Sequence, residues 1–183
     1  MILSGTPLPG VFEVAANPHR DDRGAFARLY CPEVFAAQGI DFTSTQINLS
    51  TNLRANTLRG LHFQRPPHAE AKLVRCVAGK VWDVAVDLRP GPTLGHWHGV
   101  TLDAELMNAV FLPEGVAHGF LTLTENAQVL YQMGRPYQPG QARGIRWDDP
   151  DLAIDWPAAP ATMSEADTTW PLWREVLPEL QAT

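Results

Sequence analysis

Short apolar runs alternate with polar residues along most of the chain, and prolines and glycines punctuate them. Alternation with period two, bounded by turn residues, marks strands with one face buried. The pattern predicts strands at Val11–Ala15, Phe26–Tyr30, Phe42–Asn48, Leu58–Phe63, Lys72–Val77, Val81–Asp87, Trp97–Leu102, Ala109–Leu112, Gly119–Leu123 and Gln128–Met133. Ala78 and Gly79, between two β-branched runs, predict a hairpin turn. Pro32–Gln38 reads as a short helix, since proline suits a first helical position and Gly39 suits a stop. Residues 134–160 turn rich in Pro, Asp and Arg and read as a long ordered loop. The tail from Ser164 reads as a helix, with Ser164 as cap and Glu165 and Asp167 in its first turn. No internal repeat or low-complexity segment interrupts this pattern, which is that of an all-β sandwich or barrel.

Composition narrows the classes further. A chain of 183 residues fits one domain spanning 1–183 with a substantial core. The net charge of -6 and pI near 5.4 argue against non-specific nucleic-acid binding. A local arginine cluster can still hold an anion. The two cysteines, Cys31 and Cys76, form no CxxC and follow no secretory signal, so reduced thiols in a cytoplasmic protein are expected. No apolar run reaches the roughly 18–20 residues of a membrane span.

Candidate chemistry concentrates in LRGLHFQRPPHAEAKLVRCVAGKVWDVAVDLR, residues 58–89. His62 offers a base near neutral pH, Arg59 a permanent cation, and Lys72 an ammonium opening an apolar strand with Arg75 behind it. On a regular strand Arg59 and His62 fall on opposite faces; Gly60 between them allows a bulge that re-aims one. The segment PEGVAHGF places His118 at a strand entrance, similar to the second short motif of cupin barrels. In many cupins such a histidine joins an HxH and a glutamate around a metal. Here the earlier hairpin offers His62, His68 and Glu70 without HxH, and a catalytic metal needs about three aimed ligands, so no metal site is expected. His96-Trp97-His98 follows a Pro-Gly-Pro turn and is expected to face solvent. Taken singly, each residue has a plainer role. A lone histidine is more often hydrogen-bonded in a core, a lysine snorkels along an edge strand, and a tyrosine packs with its hydroxyl tethered.

Read together, DDRGAF, RGLHFQ, KLVRCVAGKVWDVAVDLR, PTLG, LPEGVAHGF, LYQM, IRWDDPDLAIDWP and MSEAD occur in order over nearly the whole chain. In this the sequence resembles the dTDP-4-dehydrorhamnose 3,5-epimerase family. The resemblance implies a cupin-like jelly-roll β-sandwich or barrel with a few short peripheral helices, working without metal or organic cofactor. It implies a nucleotide-diphosphate 4-keto-6-deoxyhexose as substrate, with dTDP-4-dehydro-6-deoxy-D-glucose converted to dTDP-4-dehydro-L-rhamnose on the route to L-rhamnose. His62 matches the proton acceptor, Tyr131 the proton donor, Lys72 the cation at the C4 oxygen, and Asp167 the carboxylate that orients the histidine. Asp83 is the alternative partner for His62. Arg23, Phe26, Gln46, Asn48, Arg59 and His118 match positions that hold the diphosphate or sugar. Tyr137 is placed to pack on the base, and Arg143 to reach a phosphate. The N-terminal segment around Arg23 is expected to join a neighbouring subunit's sheet in a homodimer. Ala27 and Arg28 stand where many members carry an acidic residue, which leaves a cytidine-linked sugar open beside a thymidine-linked one. Two alternatives stay in view: an epimerase acting on a single carbon, C3 or C5, of a CDP- or dTDP-deoxysugar, and a metal-binding cupin oxygenase or sugar-binding module.

Overall fold

Strands with one apolar face bury it by packing sheet on sheet, and that is how this chain resolves its alternation. The computed structural model describes residues 1–181. In chain order its elements are β1 (Ile2–Gly5), β2 (Phe12–Ala15), β3 (His19–Asp21), β4 (Gly24–Phe26), α1 (Pro32–Ala36), β5 (Gln46–Asn52), β6 (Leu58–Gln64), β7 (Lys72–Ala78) and β8 (Lys80–Asp87). There follow β9 (Trp97–Asp103), β10 (Ala109–Leu112), β11 (Val116–Thr122), β12 (Ala127–Met133), β13 (Ala142–Gly144), α2 (Glu165–Thr169) and α3 (Trp173–Gln181). One sheet has the order β1-β2-β10-β7-β12-β5 and the other β13-β6-β11-β8-β9, while β3 and β4 form a separate hairpin. This is the jelly-roll sandwich expected from the sequence.

Alternation sorts the side chains between three apolar layers. Val74 and Cys76 of β7, Val81 and Ala85 of β8, Phe120 of β11 and Val129 of β12 meet between the sheets. On the outer face of the five-stranded sheet, Val84 and Val86 pack against Trp173 and Val176 of α3. The six-stranded sheet is covered at one end only, where Phe35 of α1 and Phe42 pack on Leu73 and Phe111. At its other edge, Ile47 and Leu49 of β5 stay exposed. No described helix is long and apolar enough to cross a membrane.

The departures from the expected elements have local causes. The strand expected over Phe26–Tyr30 ends at Phe26, because the next segment is pulled onto side chains. Arg75, on the outer face of β7, donates to the Leu29 carbonyl at 2.6 Å, and the Tyr30 hydroxyl donates to the Phe42 carbonyl. Phe42 is drawn into the aromatic cluster under α1, so β5 begins at Gln46 rather than at Phe42. The loop expected over 134–160 contains β13, which pairs with β6. The tail holds two helices, α2 and α3. Trp170 between them is extended (ψ 149°), as a residue before proline prefers.

One irregularity positions the site. β11 pairs with β6 through His118–His62 and Phe120–Arg59, with a register shift between these pairs. Three steps along β6 thus match two along β11, a bulge that turns Arg59 and His62 toward the same cavity. Gly60 makes it possible: its φ is +140°, and a Cβ there would lie 2.6 Å from the Gly119 Cα. Gly60→Ala should therefore cost about 2–4 kcal/mol of stability and misplace both side chains. A urea titration compared with wild type checks this, and an unchanged midpoint would refute the bulge's dependence on glycine.

Candidate active site

Between the two sheets lies a cavity of about 390 Å³, within the usual range for small-molecule sites. β6 and β11 of one sheet supply Arg59, His62 and His118; β5, β7 and β12 of the other supply Asn48, Lys72 and Tyr131. His62 and Tyr131 thus stand on facing walls. The ring of His62 bonds through Nε2 to Oδ1 of Asp167 at 2.6 Å. An ionised carboxylate only accepts, so Nε2 carries the proton and Nδ1 keeps the lone pair. The Ser164 hydroxyl caps α2 by accepting from the Asp167 N–H at 3.2 Å, and Trp170 Nε1–H donates to Oδ1 at 3.2 Å. Burial alone would raise the Asp167 pKa, but the hydrogen bond and charge of His62, with bonds from Ser164 and Trp170, outweigh it and hold the carboxyl below its ordinary value.

A second histidine–carboxylate pair lies beside the first. His118 Nε2 bonds to Asp83 Oδ2 at 2.7 Å, with both side chains buried. Asp83 therefore serves His118, and the expected choice of partner for His62 falls on Asp167. Tyr131 meets the His118 ring edge to face at 5.7 Å. Burial pushes its phenol well above the ordinary value of 10, the charge of Asp83 adds to this, and Arg59 opposes it. The hydroxyl therefore stays protonated at any working pH.

Lys72 is buried against Glu70, Nζ to Oε1 3.0 Å, and the other oxygen of Glu70 accepts from Gln64 Nε2. Arg59, which lines the cavity, donates through Nε to Oδ1 of buried Asn52 at 2.8 Å and through a terminal nitrogen to the Thr51 carbonyl at 3.4 Å. Gln46 donates to Asn48 Oδ1 at 3.0 Å and accepts from the Tyr137 N–H at 3.0 Å, while Tyr137 itself is exposed at the mouth.

Some expected residues stand elsewhere. Arg143 does not line the cavity; its guanidinium folds back onto the carbonyls of Gly140 and Ala142, at 2.8 Å each, beside a neighbouring groove. Arg23 pairs with Asp21 at 2.6 Å on the exposed β3–β4 hairpin, and Phe26 is 79% exposed there, both away from the cavity of their own chain. His96 faces solvent as expected, whereas His98 is half-buried and bonds to Glu13 at 2.9 Å, tying β9 to β2. Among the described residues no three His, Cys, Asp or Glu side chains converge as a metal site. The sequence reading missed Gln64, Asn52 and Trp170, and weighed Glu70 only as a metal ligand. Glu70 left a trace: a carboxylate two residues before Lys72 shares its face on an extended segment.

Comparisons with known proteins bear on this geometry. A family model described as dTDP-4-dehydrorhamnose 3,5-epimerase matches residues 5–175. A curated dTDP-4-dehydrorhamnose 3,5-epimerase of Salmonella typhimurium is 41% identical over 180 residues, covering 97% of this chain and 98% of that protein. A dTDP-4-dehydrorhamnose 3-epimerase of Streptomyces niveus is also 41% identical, over 91% of this chain and 81% of its own. A solved Legionella pneumophila dTDP-6-deoxy-D-glucose-3,5-epimerase, in complex with dTDP-4-keto-L-rhamnose, superposes with a TM-score of 0.92 at 34% identity, covering 98% of this chain and 96% of that one.

The Asp167 bridge has a testable pH signature. Its folded pKa lies below the unfolded value of about 3.9, so the stability it adds is complete above that value and lost as pH falls through the folded one. Asp167→Asn should be less stable than wild type at neutral pH, and the gap should close below about pH 4. Urea midpoints measured across that range check this; a gap independent of pH would contradict it.

Proposed function

Because the chain belongs to the dTDP-4-dehydrorhamnose 3,5-epimerase family, we propose that its cavity inverts C3 and C5 of a nucleotide-diphosphate 4-keto-6-deoxyhexose, with dTDP-4-dehydro-6-deoxy-D-glucose as substrate and dTDP-4-dehydro-L-rhamnose as product. The observation that carries this reading is the facing of a carboxylate-oriented His62 and a neutral Tyr131 across one cavity that also holds Lys72. Inversion needs a base on one side of the sugar ring and an acid on the other.

The ketone at C4 acidifies the C–H bonds at C3 and C5. His62 removes such a proton through Nδ1, and the electron pair moves into an enolate with its charge on the C4 oxygen. The resulting imidazolium is stabilised by Asp167. Lys72, fixed by Glu70, donates to the enolate oxygen; a preorganised donor in a site shielded from water is worth about 3 kcal/mol. Tyr131 returns a proton to the carbon from the opposite face and regains one from His62 through solvent. Only protons move, so the substrate's own ketone supplies what a cofactor would otherwise provide. Arg59 and Asn48 at the mouth hold the diphosphate and sugar, with Gln46 and His118 lending contacts. Tyr137 stacks on the base. We read residues 1–183 as one such domain, and the free thiols Cys31 and Cys76 fit a cytoplasmic enzyme.

A homodimer completes the reading. Arg23 and Phe26 lie exposed on a projecting hairpin, and Ile47 and Leu49 leave the edge of the six-stranded sheet uncovered. Pairing there hides an edge and an apolar face together, and brings Arg23 of the partner subunit toward the diphosphate. A single-carbon epimerase is the second reading, favoured by the equal identity to the Streptomyces niveus 3-epimerase. Arg28 keeps the base itself a question for assay.

Incubation of 4-keto sugar nucleotides carrying different bases in heavy water tests these readings. Deuterium should enter at C3 and C5 of the thymidine-linked sugar; entry at one carbon selects the second reading. His62→Asn should lower exchange at both carbons at least about a hundredfold. Tyr131→Phe should lose net inversion while exchange at one carbon persists, because the base can return its proton to the same face. Full exchange in the His62 variant would remove that residue as base.

Mixing subunits tests the shared site. Inactive His62→Asn and Arg23→Ala chains, once exchanged, should regain part of the activity, since a mixed dimer holds one site with both lesions and one with neither. No recovery after verified exchange would mean that each chain builds its own site.

A further inference from the structure

The loop of residues 134–141 joins β12 of one sheet to β13 of the other and carries Tyr137 across the cavity mouth. Residues 135–140 are all exposed, so hydrogen bonds rather than packing must seat them. Two consecutive amides are held by glutamines from opposite sheets. The Tyr137 N–H donates to Oε1 of Gln46 on β5 at 3.0 Å, and the Gln138 N–H donates to Oε1 of Gln64 on β6 at 3.1 Å.

Gln64 is buried and uses its other end as well. Its Nε2 donates to Glu70 Oε2 and to the His68 carbonyl at 3.2 Å, and Glu70 Oε1 holds Lys72 Nζ at 3.0 Å. A carboxamide is a rigid plane, so rotating one end to follow the loop displaces the other from Glu70. We propose that Gln64 is a positioning residue that couples the seat of the 134–141 loop, and with it Tyr137, to the Glu70–Lys72 ion pair on the cavity wall. The hydrogen bonds stand by themselves; the kinetic consequence rests on the epimerase reading.

Gln64→Met in the full chain keeps the length of the side chain and removes both polar ends. Exchange of the Gln138 amide with solvent, read by NMR, should quicken about tenfold. KM for the 4-keto sugar nucleotide should rise about tenfold, with a smaller fall in kcat. In a Tyr137→Ala background the same substitution should leave KM within about twofold while still lowering kcat, because the loop's contribution is already gone. A merely structural role predicts the same KM factor in both backgrounds, and that result overturns the coupling. Unchanged Gln138 exchange in the folded variant overturns it too. Gln64→Asn, one carbon too short to span both partners, carries the same expectations should the methionine variant fail to fold. If wild type turns over no 4-keto sugar nucleotide, the epimerase reading falls, and Gln138 exchange alone decides for or against the latch.

Discussion

Three buried carboxyl groups, Asp167, Asp83 and Glu70, lie where a β-sandwich ordinarily keeps apolar side chains, each bonded to one partner: His62, His118 and Lys72. An unpaired charge there is expensive, and pairing recovers the cost only when geometry and further hydrogen bonds are good. The surrounding structure supplies both. α2 is placed so that Asp167 reaches His62, the Pro-rich segment after β6 delivers Glu70 to Lys72, and β8, paired with β11, sets Asp83 diagonally across from His118. Each pair leaves one partner directed at the cavity. The requirement that buried charge be matched therefore fixes which loops and helices surround the sandwich, and the reactive groups inherit their orientation from it.

The same requirement explains which parts of the molecule could be read from the chain. The interior strand Ala109–Leu112, a short apolar run buried at every position, was legible to the residue. Phe26–Tyr30 and Phe42–Asn48 read as strands too, but Tyr30 and Phe42 are recruited beneath α1, a tertiary preference that period two does not encode. His62, Lys72 and Tyr131 were marked by their motifs. Their partners were harder, because His62 and Asp167 are 105 residues apart and nothing local separates Asp167 from Asp83. Arg143 misled for a related reason: a loop arginine near a cavity satisfies itself on local carbonyls as readily as on a ligand.

One chain also leaves visible business unfinished. The hairpin bearing Arg23 and Phe26 projects from the sandwich, and the uncovered edge of the six-stranded sheet offers apolar side chains beside the cavity mouth. Under the proposed homodimer, one docking event covers both features. In the proposed homodimer, affinity for the charged end of a substrate is linked to assembly, since part of the cation set would come from the second subunit.

The bulge at Gly60 has a consequence for how such sites are recognised. A regular strand displays two side chains on one face only when an odd number of residues separates them. Arg59 and His62 are separated by two, and they share a face because the backbone at Gly60 absorbs the mismatch. The motif Arg-Gly-Leu-His is therefore a written record of a backbone irregularity. A search for paired side chains at even offsets would pass over it, whereas a glycine set between two chemically eloquent residues at an odd offset announces that the ladder has slipped.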